Sequence, residues 1–263
     1  MPDRIPVMSG ISPNANGAED PPGRRSQNRI SQTQRFLEAG LAIVDSEGLH
    51  GLTMSKLARQ SGAAVGAVYR YFPSKGALVA EMQRHAIDRI AASYVDYVQQ
   101  FRSSELLAKV PNDQQAQLVE LAGLWLVSEF YCQAAVLFAE EFRLLQLLMA
   151  ETHAVVPIEE GFAVLPHAMA LLSKIAEPID AAVAAGAIEA ESTLDRVLTL
   201  TAAAGSLLQV ARLAVYDEQL FEPRRLVMQL SRDLFRGWGA DETSLSGSAR
   251  LVQDFADACQ LVR

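Results

Sequence analysis

The residues of this chain best suited to chemistry lie in one short stretch, Thr53 to Leu78. Thr53 and Ser55 put hydroxyls at the start of a helical pattern, where free backbone N–H groups also suit phosphate. Lys56 and Lys75 are cations that hold phosphate as point charges, and Lys75 opens a further helix whose dipole adds to that attraction. Arg70 carries the planar fork that can bond O6 and N7 of guanine, and Tyr69 and Tyr71 flank it with phenolic donors. Ala64, Val65, Gly66 and Ala67 are small and apolar, of a size to touch a thymine methyl. This grouping suits contact with a nucleic-acid duplex. The sequence holds no Gly-rich phosphate loop, nucleophile elbow, ordered acid–base pair or cofactor signature, so neither catalysis nor a cofactor is expected. His153 and His167 lack metal-ligand spacing, and no metal is expected either.

The elements that must hold these side chains follow from periodicity. Ile30, Phe36, Leu37, Gly40, Leu41 and Val44 recur on one face of a helix from about 27 to 46, and Gly48 stops it. Thr53 is a good N-cap for a second helix, with Met54, Leu57, Ala58 and Ser61 on its inner face and Gly62 to end it. A short third helix covers about Val65 to Tyr71. Phe72-Pro73 interrupts it, with Phe72 assigned to the core. Ser74 then caps a long fourth helix carrying Leu78, Met82, Ala86, Ile90 and Tyr97 along one side. Two short helices joined at a glycine form a pair whose second member enters the major groove while the first braces against the backbone. Beyond them the spacing predicts helices over about 113–128, 130–152, 158–185, 192–216, 223–237 and 244–261, separated by Pro111, Pro157, Gly186 and Pro223. There is no alternating strand pattern, so the fold class is all-α.

The net charge of -8 argues against nucleic acid until its distribution is considered. From Arg24 to Ala80 eight Lys/Arg face three acids, net +5. From Ala91 onward 12 Lys/Arg face 23 acids, net -11. Any DNA contact therefore belongs to the first third. The first 27 residues are rich in Pro, Gly, Asn and Ser and lack periodicity, as a disordered arm does, with Arg24, Arg25 and Arg29 near any DNA contact. Cys132 and Cys259 are far apart and form no pairing motif, which suits a reducing compartment. The N-terminus has no apolar signal core, and charges break the longer apolar runs. The expectation is a cytoplasmic protein with no membrane partner.

The ordered set Gly48, Thr53, Leu57-Ala58, Gly62, Gly66, Tyr69, Tyr71-Phe72, Ser74-Lys75 and Leu78 resembles the TetR family of repressors, closely from Ile30 to Leu78. More loosely, Ile188 to Ala240, with Phe221-Glu-Pro and Gly237-Trp-Gly, looks like the family's closing helix pair. The resemblance implies a three-helix helix-turn-helix DNA-binding domain followed by a larger helical ligand-binding and dimerisation domain. The boundaries expected are 1–27 for the arm, 28–76 for the DNA-binding domain, 77–240 for the larger domain and 241–263 for an extension, itself helical. It also implies phosphate or base contact for Tyr69 and Tyr71. The chain departs from the family at Ala64, Val65 and Ala67, where a hydroxyl or Lys, and then a Thr or Ser, are common. The recognition helix thus loses its side-chain cap. Either thymine-methyl contacts replace the missing polar ones, or binding leans on phosphate and salt.

The segment 192–216 is apolar nearly all round, and a helix of that kind must be covered on every face. Paired with 223–237 it would form a four-helix bundle across a two-fold axis, as the resemblance also implies. The interface residues expected are Leu200, Leu207, Val210, Ala211, Leu226, Leu230 and Leu234, with Ala202-Ala-Ala-Gly205-Ser allowing close helix approach. A homodimer would address a near-palindromic DNA operator with half-sites about one helical turn apart. The family also implies a pocket for a small-molecule effector. The candidate lining is Trp125, Phe130, Tyr131, Phe138, Glu141, Phe142, Met149, His167 and Met169, which suits a hydrophobic ligand. The function expected is a DNA-binding repressor released by ligand. An activator, or a helical adaptor with weakened DNA binding, are the alternatives.

Overall fold

The computed structural model describes residues 22–111, 115–146, 157–259 and 261. No strand occurs among them. Helix α1, Pro22–Gly51, starts earlier than the sequence suggested, because Pro22 is pre-set for the first helical turn and the polar residues after it need no core to stay helical. Its backbone leaves helical geometry at Gly48 (φ 71), the residue expected to stop it. Helix α2, Met54–Ser61, is capped by the Thr53 hydroxyl, which accepts from the Lys56 N–H at 3.2 Å, and ended by Gly62 in the left-handed region (φ 67). Helix α3, Val65–Tyr71, has no side-chain cap at Ala64. Helix α4, Lys75–Arg102, is capped by the Ser74 hydroxyl, which accepts from the Ala77 N–H at 2.8 Å.

Phe36, Leu37, Leu41 and Val44 of α1, Leu57 and Ala58 of α2, Val68, Phe72, and Leu78 and Met82 of α4 close one core. Each fully buried side chain there is worth about 1.5–3 kcal/mol of transfer free energy. The far half of α4 (Ile90, Tyr94, Tyr97, Phe101) belongs to a second core. A boundary drawn at residue 76 therefore falls within the first turn of a helix that serves both cores.

The second core packs α4 against α5 (Gln115–Leu137), α8 (Leu165–Ala184), α9 (Thr193–Val210), α10 (Pro223–Gly237) and α11 (Glu242–Ala258). Helix α5 runs unbroken past residue 129, where a break was expected. Ser128 and Glu129, at the expected break, are buried and paired: Ser128 Oγ lies 2.7 Å from Ser231 Oγ, and Glu129 takes Arg224. The chain turns instead at Phe138, and α6 (Ala139–Gln146) leaves α5 at 103°. The expected helix 158–185 is two pieces, α7 (Ile158–Gly161) and α8, because Pro166 starts a new helix. The expected helix 192–216 ends at Val210 and continues as a 3-10 turn, Ala211–Val215. The stretch Thr193–Val215 is long and apolar enough to cross a membrane, with mean hydropathy 1.4, so the charges within it do less to break it than expected. Only 19% of that stretch is buried within the chain.

The C-terminal extension is an integral wall. Asp241 caps α11 by accepting from the Thr243 and Ser244 N–H groups, and Val252 and Phe255 enter the second core. Arg224 of α10 donates to both Glu129 oxygens of α5 (Oε1 at 3.3 Å, Oε2 at 2.8 Å) and to Gln253 Oε1 of α11 (2.7 Å). Gln133 closes the set by donating to Glu129 at 3.0 Å.

Candidate nucleic-acid interface and apolar cavity

Within α3 only Val68 is buried, and that single anchor fixes how the helix is presented. Val65 (40% exposed), Gly66, Tyr69 (51% exposed) and Arg70 face outward, with Ala64 exposed just before them. Ala67 is half-buried. Neither Tyr69 nor Arg70 has a hydrogen-bond or ion-pair partner among the described residues. Thr53 and Ser55 are exposed beside this face at the start of α2. A short helix carrying an unspent guanidinium and phenol, next to a free helix N-terminus, can hydrogen-bond base edges and phosphates together.

Three expected contacts have other duties. Tyr71 is half-buried, edge-on to Phe36 at 5.3 Å, with the Arg29 guanidinium 5.8 Å from its ring centroid. Of the two phenols it is therefore the one built into the domain, because it lies on the side of α3 that returns toward α1. Lys75 Nζ donates to the Leu49 carbonyl at 2.7 Å, tying the end of α1 to the start of α4. Lys56 is paired with Glu47. The side chains of Arg24 and Arg25 lie outside the described residues.

Beneath this unit an apolar cavity of about 340 Å³ opens among α4, α5, α6, α8 and α9. Phe130, Tyr131 and Phe142 line it, as expected. Five other candidates sit elsewhere. Trp125 packs edge-on to Phe235 at 5.1 Å in the second core. Phe138 is buried at the bend under Arg89 (5.4 Å), and Glu141 is fully buried as the partner of Arg89. His167 meets Asp88 at 2.6 Å on the outside, and Met169 is exposed. Met149 and His153 lie outside the described residues. The sequence reading missed Gln146 of α6 and Thr201, Ala202, Gly205, Ser206 and Gln209 of α9. Their signal was the run of small and polar residues in an apolar helix, which was assigned to helix packing and instead leaves room for the cavity.

Helix α6 faces two ways. Phe142, Leu145 and Gln146 line the cavity, while Leu144 is fully buried in the first core and Arg143 pairs with Asp45 of α1 at 3.1 Å. A second link runs from α7, where Glu160 accepts from the Ser74 hydroxyl at 2.7 Å. A side chain at Gly76 would collide with Glu160 and Pro157, so the contact requires glycine there.

Of the expected interface residues, Leu200 is 1% exposed and belongs to the chain's own core, since it points back from α9 toward α5 and α8. Leu207, Val210, Leu226, Leu230 and Leu234 remain partly exposed, and the side chain of Ala211 is outside the described set. Leu194 and Leu198, one turn apart on α9, are the exposed leucines of that helix.

The structure thus presents a helix-turn-helix on its surface, joined through α6 to a helical unit with a cavity. Residues 36–82 match the family described as bacterial regulatory proteins, tetR family. The likeness to that family is carried by this N-terminal segment, which spans α2, α3 and parts of α1 and α4. It is 41% identical over 60 residues to the HTH-type transcriptional repressor DrrR1 of Streptomyces coeruleorubidus, covering 22% of each chain. It is 36% identical over 67 residues to the HTH-type transcriptional repressor KstR of Mycolicibacterium smegmatis, covering 26% of this chain and 33% of that one. The alignments thus span a third or less of these relatives' length. The fatty acid degradation regulator FadR of Bacillus halodurans has the same fold, with a TM-score of 0.54 at 13% identity over 76% of this chain and 94% of that one.

Proposed function

We propose that this protein is a homodimeric repressor that holds a near-palindromic operator through paired α3 helices and is released when a small molecule enters the cavity. The observation that carries the reading is α3 itself, which spends one side chain on the core and leaves Tyr69 and Arg70 on the surface with no partner among the described residues. The repressor sense rests on the two curated relatives, both described as repressors. Release follows from α6. A ligand that pushes on Phe142, Leu145 and Gln146 must move Leu144 and Arg143, which are seated in and against the DNA-binding unit. Such a ligand changes DNA affinity only to the extent that it prefers one placement of α6. Self-association rests on the apolar surface of α9 and α10, where Leu194, Leu198, Leu226 and Leu230 have no cover adequate for a helix of this composition. Work on DNA places the protein in the bacterial cytoplasm.

A mobility shift on the protein's own promoter region, at graded salt, tests the reading. A salt-sensitive shift that depends on an inverted repeat is expected. Absence of DNA affinity at low salt defeats the repressor reading in favour of a helical adaptor.

A further inference from the structure

The cavity's lining narrows what it will accept. None of the described residues that line it is Asp, Glu, Lys, Arg or His. An ion placed there meets no counter-charge among those residues to offset its desolvation. The polar groups that remain are unequal. Thr201 Oγ1 donates to the Val197 carbonyl at 2.8 Å and Ser206 Oγ to the Ala202 carbonyl at 3.0 Å, so both hydroxyl protons are spent along the helix. The Tyr131 hydroxyl has no hydrogen-bond partner among the described residues. Burial pushes its pKa up to about 12, which keeps the proton in place at physiological pH. Its oxygen lies against Gly205, where a Cβ would come within 3.1 Å of it. Phe142 holds the ring edge-on at 5.3 Å. The result is a fixed donor with space before it, in a chamber lined mainly by apolar side chains, with Tyr94, Gln146 and Gln209 as its remaining polar members, and at the small end of the range that takes drug-sized ligands, about 300–1,000 Å³.

We infer that the cavity selects a neutral hydrophobic molecule bearing a carbonyl or hydroxyl oxygen, and that Tyr131 donates a hydrogen bond to that oxygen. The inference rests on the effector reading above only for its consequence on DNA; the selectivity itself follows from the lining. A ligand without the oxygen leaves the phenol unpaired in a dry site, and a carboxylate enters without a cation to meet it.

Three probes of similar shape test this on the full chain by titration calorimetry: benzophenone, diphenylmethane and 2-benzoylbenzoate. Benzophenone is expected to bind about tenfold or more tightly than either of the others. Tyr131→Phe, checked for native helicity, is expected to bring benzophenone down to the affinity of diphenylmethane and leave the hydrocarbon unchanged. Gly205→Ala, which crowds the phenol, is expected to weaken benzophenone more than diphenylmethane. The inference is overturned if 2-benzoylbenzoate binds as tightly as the ketone, if the ketone fails to bind the folded protein, or if Tyr131→Phe leaves the ratio of ketone to hydrocarbon affinity unchanged. A mobility shift on the same unliganded samples keeps the two claims apart. Loss of the ketone preference with the DNA shift intact defeats the cavity assignment alone, and absence of the shift with the preference intact defeats the repressor reading alone.

Discussion

Arg70 has no hydrogen-bond or ion-pair partner among the described residues, whereas Lys75 is tied to the Leu49 carbonyl, and the two are expected to fail differently when removed. Arg70→Ala should lower operator affinity by about 1–3 kcal/mol and relax preference at one base position, with little effect on random DNA, as competition assays would measure. Lys75→Ala should weaken specific and random DNA alike. It should also lower the thermal midpoint of the protein, because a charge-assisted hydrogen bond between α1 and α4 goes with it. The phenols divide in the same way. Tyr69→Phe is expected to cost DNA affinity at unchanged stability, while Tyr71→Ala, which removes the ring beside Phe36, should cost about 1–3 kcal/mol of stability by denaturant titration. Equal stability losses for Tyr69→Phe and Tyr71→Ala would contradict this assignment. The proposed DNA contacts rest on side-chain chemistry that the sequence already displays. The division between exposed Tyr69 and half-buried Tyr71 was not, because a seven-residue helix has too few turns for periodicity to say which side faces α1.

Helix α6 packs against both the cavity and the first core, and nothing in its sequence announced it. The turn at Phe138 contains neither Gly nor Pro; it is set by Phe138 and Glu141 being drawn into the interior with Arg89. Sequence reading located the first four helices well, because Thr53, Gly62 and Ser74 are caps and stops with a local physical cause. It failed where tertiary pairing decided the matter, as at Ser128 and Glu129, which are polar yet buried within α5. The cavity was half legible for a similar reason. Aromatics announce an apolar interior, but the small residues of α9 that create the space look the same as residues that close it. Leu144→Ala is expected to destabilise the protein by about 2–4 kcal/mol and to loosen the dependence of DNA affinity on ligand, read as a smaller ligand-induced loss in a mobility shift. Arg224→Ala leaves the Glu129 carboxylate buried among α5, α10 and α11. A loss of about 2 kcal/mol is expected, discounted because Arg224 is partly exposed, with Arg224→Lys restoring only part of it.

Across the whole molecule the charges segregate, with the proposed DNA face in the basic first third and an acidic remainder that would repel phosphate. Binding should therefore steepen as salt falls, with a slope set by the phosphates neutralised from both halves of a dimer. The exposed Leu194 and Leu198 of α9 and the half-buried Leu226 and Leu230 of α10 support the proposed dimer. Leu198→Asp with Leu230→Arg is expected to give a folded monomer by sedimentation that binds an isolated half-site no worse but loses the paired site by about a hundredfold or more. The central claim is that two copies of α3 read two half-sites on one face of a duplex. It is met most directly by selecting bound duplexes from a random pool and footprinting the winners. The account predicts an inverted repeat with half-site centres about 10 base pairs or a multiple apart, protected by two chains. Enrichment of no sequence, or protection of a single unrepeated site by one chain, would contradict it.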